Sequence, residues 1–298
     1  MTLRTALQRA ARAYLFVLAT ALAAACAPGG GGPATPAGPT PRAAAGFAGF
    51  DTGIYPGDAV MRAWRQASPY VWVGYYLPAP CHRDASWSGK RETLVAMGWG
   101  TAVIYLGQQD WAATPNRAPA PDSTARVDSA AAQAQQPAAA AAPPACSATN
   151  LTPTRAATDA ADAASRTAAE GFPSGTVIYL DVERVTTVSP ALTEYVRAWV
   201  DGVLADGRYT PGIYVHRLNA DPVAIATRAA YAARGRAGDP PFWVTSSTGF
   251  ALELAPSASG VPYANVWQGP LDVRETYAGY TLQIDANVAD TRSPSSPR

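Results

Sequence analysis

Charge is scarce in this chain. Only 15% of its 298 residues are Asp, Glu, Lys or Arg, and 23 basic against 22 acidic side chains leave a formal net charge of +1. Without a basic surplus there is no electrostatic footprint for nucleic acid, whose phosphates are met by clustered Lys and Arg, and none for a polybasic reader of lipid headgroups. Histidine is scarcer still: His82 and His216 are the only two. Neither stands among cysteines at metal-ligand spacing, so each reads as a surface or loop residue, and neither a structural metal nor a cofactor is expected. Long apolar runs are missing too. The longest, Ala13 to Ala25, is too short for a convincing membrane span.

That run is nevertheless informative. Arg4, Arg9 and Arg12 precede it and Cys26 follows it, the layout of an export signal over residues 1–25. Leu22-Ala23-Ala24-Ala25-Cys26 resembles a bacterial lipoprotein signal, in which small residues precede a cysteine that becomes the lipidated first residue. The leucine sits one place earlier than that motif prefers, and a plain signal-peptidase site after the same alanines is the other reading. The expectation is an exported protein of the cell envelope, touching membrane only through a lipid on Cys26, or secreted outright. Removal of the signal takes three arginines and leaves the net charge near −2. Cys81 and Cys146 then remain as an even pair in an oxidising compartment, and they are expected to form a disulfide.

Much of the length is not fold. Residues 26–45 carry the lipidation site and a Gly/Pro/Ala tether, residues 112–145 form an Ala/Pro/Gln-rich insertion expected to be disordered, and 292–298 form a Ser/Pro/Arg tail expected to be unstructured. One domain over 46–291, interrupted by the insertion, is left. Strand-like runs recur at Phe47–Asp51, Tyr70–Leu77, Thr101–Leu106, Thr176–Glu183, Thr210–Val215, Phe242–Thr245, Ala264–Trp267 and Thr281–Asp285. Helical patterns separate the early ones, at Gly57–Gln66, Trp87–Met97, Pro153–Gly171, Pro190–Gly207 and Pro222–Gly235, several with proline near the start and glycine at the end. Eight strands with five crossover helices predict an α/β fold, a TIM-like (β/α) barrel of parallel strands whose final third is truncated and helix-poor.

Side-chain alternation refines this. In Thr176–Glu183, Ile178, Leu180 and Val182 form one face, while Val177, Tyr179, Asp181 and Glu183 form the other. A parallel strand buried on both sides is apolar on both faces, so the polar face points into a barrel that opens as a cleft. Asp51, Asp181, Glu183 and Asp285 all fall at the C-terminal ends of these strands, the end that carries chemistry in such barrels. The first and last strands meet on closure, which brings Asp51 beside Asp285. Asp181 and Glu183 share a face, with Cα atoms about 6.5 Å apart. Carboxylates this close displace one another's titration, the requirement for an acid and an ionised partner flanking a glycosidic bond. Strand geometry leaves both retaining and inverting outcomes open. A lone Asp at a strand end is often a cap or turn former, but four converge here. Metal binding by these acids would select a hard ion, since no histidine joins them.

Gly49-Phe50-Asp51-Thr52, Tyr179-Leu180-Asp181-Val182-Glu183, Pro211-Gly212-Ile213-Tyr214, Phe242-Trp243-Val244, Val266-Trp267-Gln268 and Asp285-Ala286-Asn287 occur in an order that resembles the lysozyme-like muramidases of glycoside hydrolase family 25. Met61 to Trp64, Ser68-Pro69-Tyr70 and Ile104-Tyr105-Leu106-Gly107-Gln108-Gln109 look more like a related bacterial group of glycoside-hydrolase-like domains formerly of unknown function (DUF1906). The resemblance implies Glu183 as proton donor, Asp181 as stabilising or nucleophilic carboxylate, and Asp51 and Asp285 as acids holding sugar and site. It also implies a cell-wall glycan, peptidoglycan, as substrate. Thr245-Ser246-Ser247 departs from the muramidase pattern of a small residue followed by an aromatic. Pyranose rings stack on aromatic faces, and Tyr105, Trp111, Tyr214, Trp243 and Trp267 lie at or near strand ends, with Gln268 beside the last. Barrel core is the competing role for several of these aromatics. A glycan-binding surface lipoprotein without turnover is the alternative function.

Overall fold

The computed structural model describes residues 46–111 and 146–297. The export signal, Cys26, the tether and the 112–145 insertion lie outside the described residues.

The chain alternates strand and helix as the pattern predicts. β1 (Phe47–Asp51), α1 (Asp58–Ala67), β2 (Trp72–Tyr76), α2 (Arg91–Ala96) and β3 (Gly100–Tyr105) are followed by α3 (Pro153–Ala169), β4 (Val177–Val182), α4 (Pro190–Asp206), β5 (Thr210–His216), α5 (Ala220–Ala233) and β6 (Phe242–Thr245). The last part has only strands and a short 3-10 turn: β7 (Val266–Gln268), β8 (Val273–Tyr277) and β9 (Tyr280–Ala289). Helix ends follow local chemistry. Thr152 and Ser189 cap α3 and α4 by accepting from Arg155 N and Leu192 N, each ahead of a proline in the first turn, and Gly207 ends α4 at φ 77°. On α4 the buried residues Leu192, Tyr195, Val196, Trp199, Val200 and Val203 form one stripe at helical spacing.

β1 to β7 pair in parallel and in sequence, and β9 closes the barrel by pairing with both β7 and β1. The closing strand is antiparallel to its neighbours, where a fully parallel barrel was expected. The cause lies in its connection. β8 and β9 are joined by Ala278-Gly279, both at positive φ (48° and 79°), a two-residue hairpin turn that permits only an antiparallel return. β9 therefore enters the wall reversed, with Asp285 in register opposite Asp51 rather than at a strand end.

The alternation holds around the barrel. Ile178, Leu180, Val182, Ile213 and Val215 face the outer core beneath the helices, whereas Val177, Tyr179, Trp72, Ile104 and Trp243 fill the interior. Trp243 is the interior's hub, edge-on to Trp72 at 5.6 Å, Tyr179 at 5.6 Å and Tyr214 at 5.5 Å. Gly49 makes room for this packing, since a Cβ there would lie 2.1 Å from the Trp72 ring.

The segment after Thr291 corrects the expectation of an unstructured tail. Ser295 is 2% exposed and inserts between β3 and β4 below their first rung, Val103 with Ile178. Its backbone bonds Thr101 O and Val177 N, and its hydroxyl accepts from Val103 N and donates to Val177 O, both at 2.7 Å. Ser293 Oγ accepts from Thr101 N, and Tyr179 reaches down the interior to Pro294 O. Serines and prolines read as disorder by composition, yet a serine hydroxyl offers both donor and acceptor where two strands part.

Candidate active site

The cleft opens at the C-terminal ends of the parallel strands, the opposite end from Ser295. It has a volume of about 250 Å³, and Asp51, Asp181, Glu183 and Asp285 all line it. All four predicted acids are thus brought together, by β1, β9, and β4 with the residue that follows it. Among the predicted aromatics, Trp111, Tyr214 and Trp243 line it too, as does Gln268. Trp243 is fully buried and serves as floor. Trp111 is partly buried at the rim, and its Nε1 has no partner among the described residues.

Two predicted platforms are elsewhere, and strand parity is the reason. On β3, Ala102 and Ile104 point inward, so Tyr105 points outward, stacks on Trp199 of α4 and donates to Asp162 of α3 at 3.0 Å. On β7, Val266 packs inside the barrel and Gln268 lines the cleft, so Trp267 turns out against Phe250 and donates to Ser246 O at 2.7 Å. Both are core residues rather than sugar platforms.

Asp51 is held by three side-chain donors. It is 2% exposed and accepts from Tyr76 Oη at 2.7 Å, Gln268 Nε2 at 2.9 Å and Asn287 Nδ2 at 2.7 Å. Gln268 also reaches Asp285 Oδ2 at 3.3 Å and accepts from Tyr214 Oη at 2.6 Å, while Asn287 accepts from Trp243 Nε1 at 2.9 Å. Asp285 Oδ1 accepts from the backbone of Asp272, which is itself held at φ 57°. Burial raises the Asp51 pKa against the pull of its three donors. Burial, and then the Asp51 charge, drives Asp285 well above the usual carboxylate range. The three donors favour the charged form of Asp51, while burial and the Asp51 charge disfavour that of Asp285. Asp51 and Asp285, both raised, face each other across the β1–β9 seam.

Asp181 is 6% exposed and Glu183 partly exposed nearer the mouth. The Glu183 backbone donates to Gln109 Oε1 at 3.1 Å, and Gln109 Nε2 donates to Asp181 O at 2.7 Å. Tyr76, Gln109 and Asn287 were not singled out from sequence as site residues. Parity with Trp72 and Gly74 marked Tyr76, and two-residue spacing from Asp285 marked Asn287. Gln109 acts from a loop, where no periodicity reports it. His82 also lines the cleft, its ring 4.9 Å from that of Tyr76. Cys81, another lining residue, is disulfide-bonded to Cys146 with Cα atoms 4.9 Å apart. Closing a loop of this length stabilises by about 4 kcal/mol in the chain-entropy picture. No cluster of His, Cys, Asp and Glu among the described residues is arranged to hold a metal ion.

The fold and site define a (β/α) barrel with an acidic cleft at its C-terminal mouth, and the family match makes it a glycoside hydrolase-like domain. More narrowly, residues 62–289 match the family described as Rv2525c-like, glycoside hydrolase-like domain, and the chain belongs to that family. Among solved structures it is similar to the Clostridium perfringens spore cortex lytic enzyme SleM, with TM-score 0.50 and 12% identity over 85% of this chain and 70% of that one. An uncharacterized B. stearothermophilus protein gives TM-score 0.49 and 16% identity over 83% and 97% of the two chains. The Mycobacterium tuberculosis Tat-secreted protein Rv2525c gives 0.47 and 14% over 82% and 96%. No curated protein matches the sequence.

Proposed function

We propose that this protein is an exported glycoside hydrolase that cleaves cell-wall glycan, peptidoglycan, with Glu183 as general acid. The observation that carries the reading is the convergence of four carboxylates from three strands in one cleft floored by Trp243. Glu183, nearest the mouth, protonates the leaving glycosidic oxygen. Asp181, deeper on the same strand face, stabilises or attacks the developing cation. Asp51 anchors Tyr76 and Gln268, and Asp285, whose carboxyl burial and the Asp51 charge push toward the protonated form, faces it across the seam. The likeness of the barrel to a spore cortex lytic enzyme supports a wall glycan as substrate. The Cys81–Cys146 bond supports export, and lipidation at Cys26 is the anchoring we propose.

The test incubates the full chain and its Glu183→Gln variant with purified peptidoglycan, scoring new reducing ends and co-sedimentation. The reading expects reducing ends from the parent only, with both proteins binding. Binding without reducing ends from either one favours a glycan-binding lipoprotein that has lost turnover. Equal activity of the two proteins removes Glu183 from the mechanism.

A further inference from the structure

We propose that Gln109 is a positioning residue for Glu183, acting with Asn219 to hold the end of β4 in strand geometry beyond the point where the sheet stops. The inference rests on the reading of Glu183 as the catalytic acid.

The ladder between β3 and β4 ends at Tyr105 with Leu180, and that between β4 and β5 ends at Val182 with Val215. Glu183 therefore lies past the last rung on both sides, where a strand normally frays. The Gln109 side chain fills the missing place on the β3 side. Its amide donates to Asp181 O at 2.7 Å and accepts from Glu183 N at 3.1 Å. The N–H and C=O of one residue on a neighbouring parallel strand make the same two bonds, to the carbonyl of one residue and the amide two residues on. One side chain thus continues the ladder by a rung. That rung keeps Asp181 and Glu183 two apart in extended backbone, with both side chains on the cleft face. Two residues further on, Asn219 clamps a single residue, accepting from Val185 N at 3.1 Å and donating to Val185 O at 3.0 Å. Both amides are buried, at 2% and 3% exposure.

Gln109 is itself held. Gly107 passes so close to Tyr195 that a Cβ would sit 2.6 Å from the hydroxyl. That hydroxyl accepts from Gln108 N at 3.0 Å and donates to buried Asp159 at 2.7 Å. The Gln108 side chain accepts from Ser147 N at 3.0 Å, next to the Cys146 bridge. These contacts fix the backbone on the N-terminal side of Gln109.

The test uses two variants of the full chain on purified peptidoglycan. Gln109→Met keeps the length and loses both bonds. It is expected to lower kcat by ~10²-fold, the cost of a misplacement of about 1 Å, with KM within about twofold because cleft-lining side chains are untouched. Gln109→Glu makes both bonds only when protonated, so its kcat relative to the parent should rise as the pH falls. A Gln109→Met enzyme with parental kcat, or a Gln109→Glu ratio flat with pH, overturns the proposal. Hydrogen exchange at the Glu183 amide reads the clamp whether or not the protein turns over: protection in the parent and its loss in Gln109→Met are expected, and equal protection overturns it. Absence of reducing ends from the parent would instead count against the hydrolase reading.

Discussion

Replacing Ser295 by alanine removes one hydroxyl at the end of the barrel opposite the carboxylates. The structure assigns that hydroxyl two bonds of 2.7 Å, one from Val103 N and one to Val177 O. Both partners are backbone groups of residues with no exposed surface, and the hydroxyl bridges them at the start of the β3–β4 ladder, whose first rung is Val103 with Ile178. Alanine leaves both unsatisfied. A buried polar group without its partner costs about 1–3 kcal/mol, which for this pair gives a loss of roughly 3 kcal/mol. For a domain of this size a melting temperature falls about 2–4 °C per kcal/mol, so a drop of roughly 6–12 °C is expected in a calorimetric scan at neutral pH. Ser293→Ala is the internal comparison. Among the described residues its hydroxyl bonds Thr101, at 3.1 and 3.4 Å, and its loss should shift the melt by a fraction of that amount. Below the melt, neither change should alter glycan cleavage. If Ser295→Ala melts with the parent, or falls no further than Ser293→Ala, the C-terminal segment is not part of the barrel's stability.

Two further changes probe the carboxylate pair. Because the Asp285 pKa is raised by folding, its contribution to stability is full below the unfolded value, near 3.9, and is lost as pH rises through the folded value. Asp285→Asn should therefore melt above the parent at neutral and alkaline pH, with the gap closing as pH falls toward 4; a gap that does not change with pH contradicts the assignment. Tyr76→Phe removes a donor that lowers the Asp51 pKa. The acidic limb of the pH–rate profile on peptidoglycan should move to higher pH, and an unmoved limb would show that Asp51 ionisation does not govern turnover.

What could be read in the sequence was whatever obeys a period. Strand alternation separated Ile178, Leu180 and Val182 from Tyr179 and Asp181, and the helix pattern set five crossovers and their absence after β6. The same parity argues against Tyr105 and Trp267 as platforms once Ile104 and Gln268 are known to point inward. Choosing them by ring type and strand-end position overrode the alternation. Features built by side chains standing in for backbone left no such trace. Gln109 completing a ladder and Ser295 spanning two strands each depend on a partner distant in the chain. Local composition there described only polarity.

The central claim is that the cleft binds a glycan with its scissile bond beside Glu183. The most direct measurement is a crystal structure of the Glu183→Gln variant soaked with a peptidoglycan oligosaccharide. The account predicts a sugar ring in the cleft floored by Trp243, with the glycosidic oxygen within about 2.6–3.2 Å of the side chain at position 183. A glycan bound on another face, or one whose linkage lies out of reach of that side chain, contradicts it.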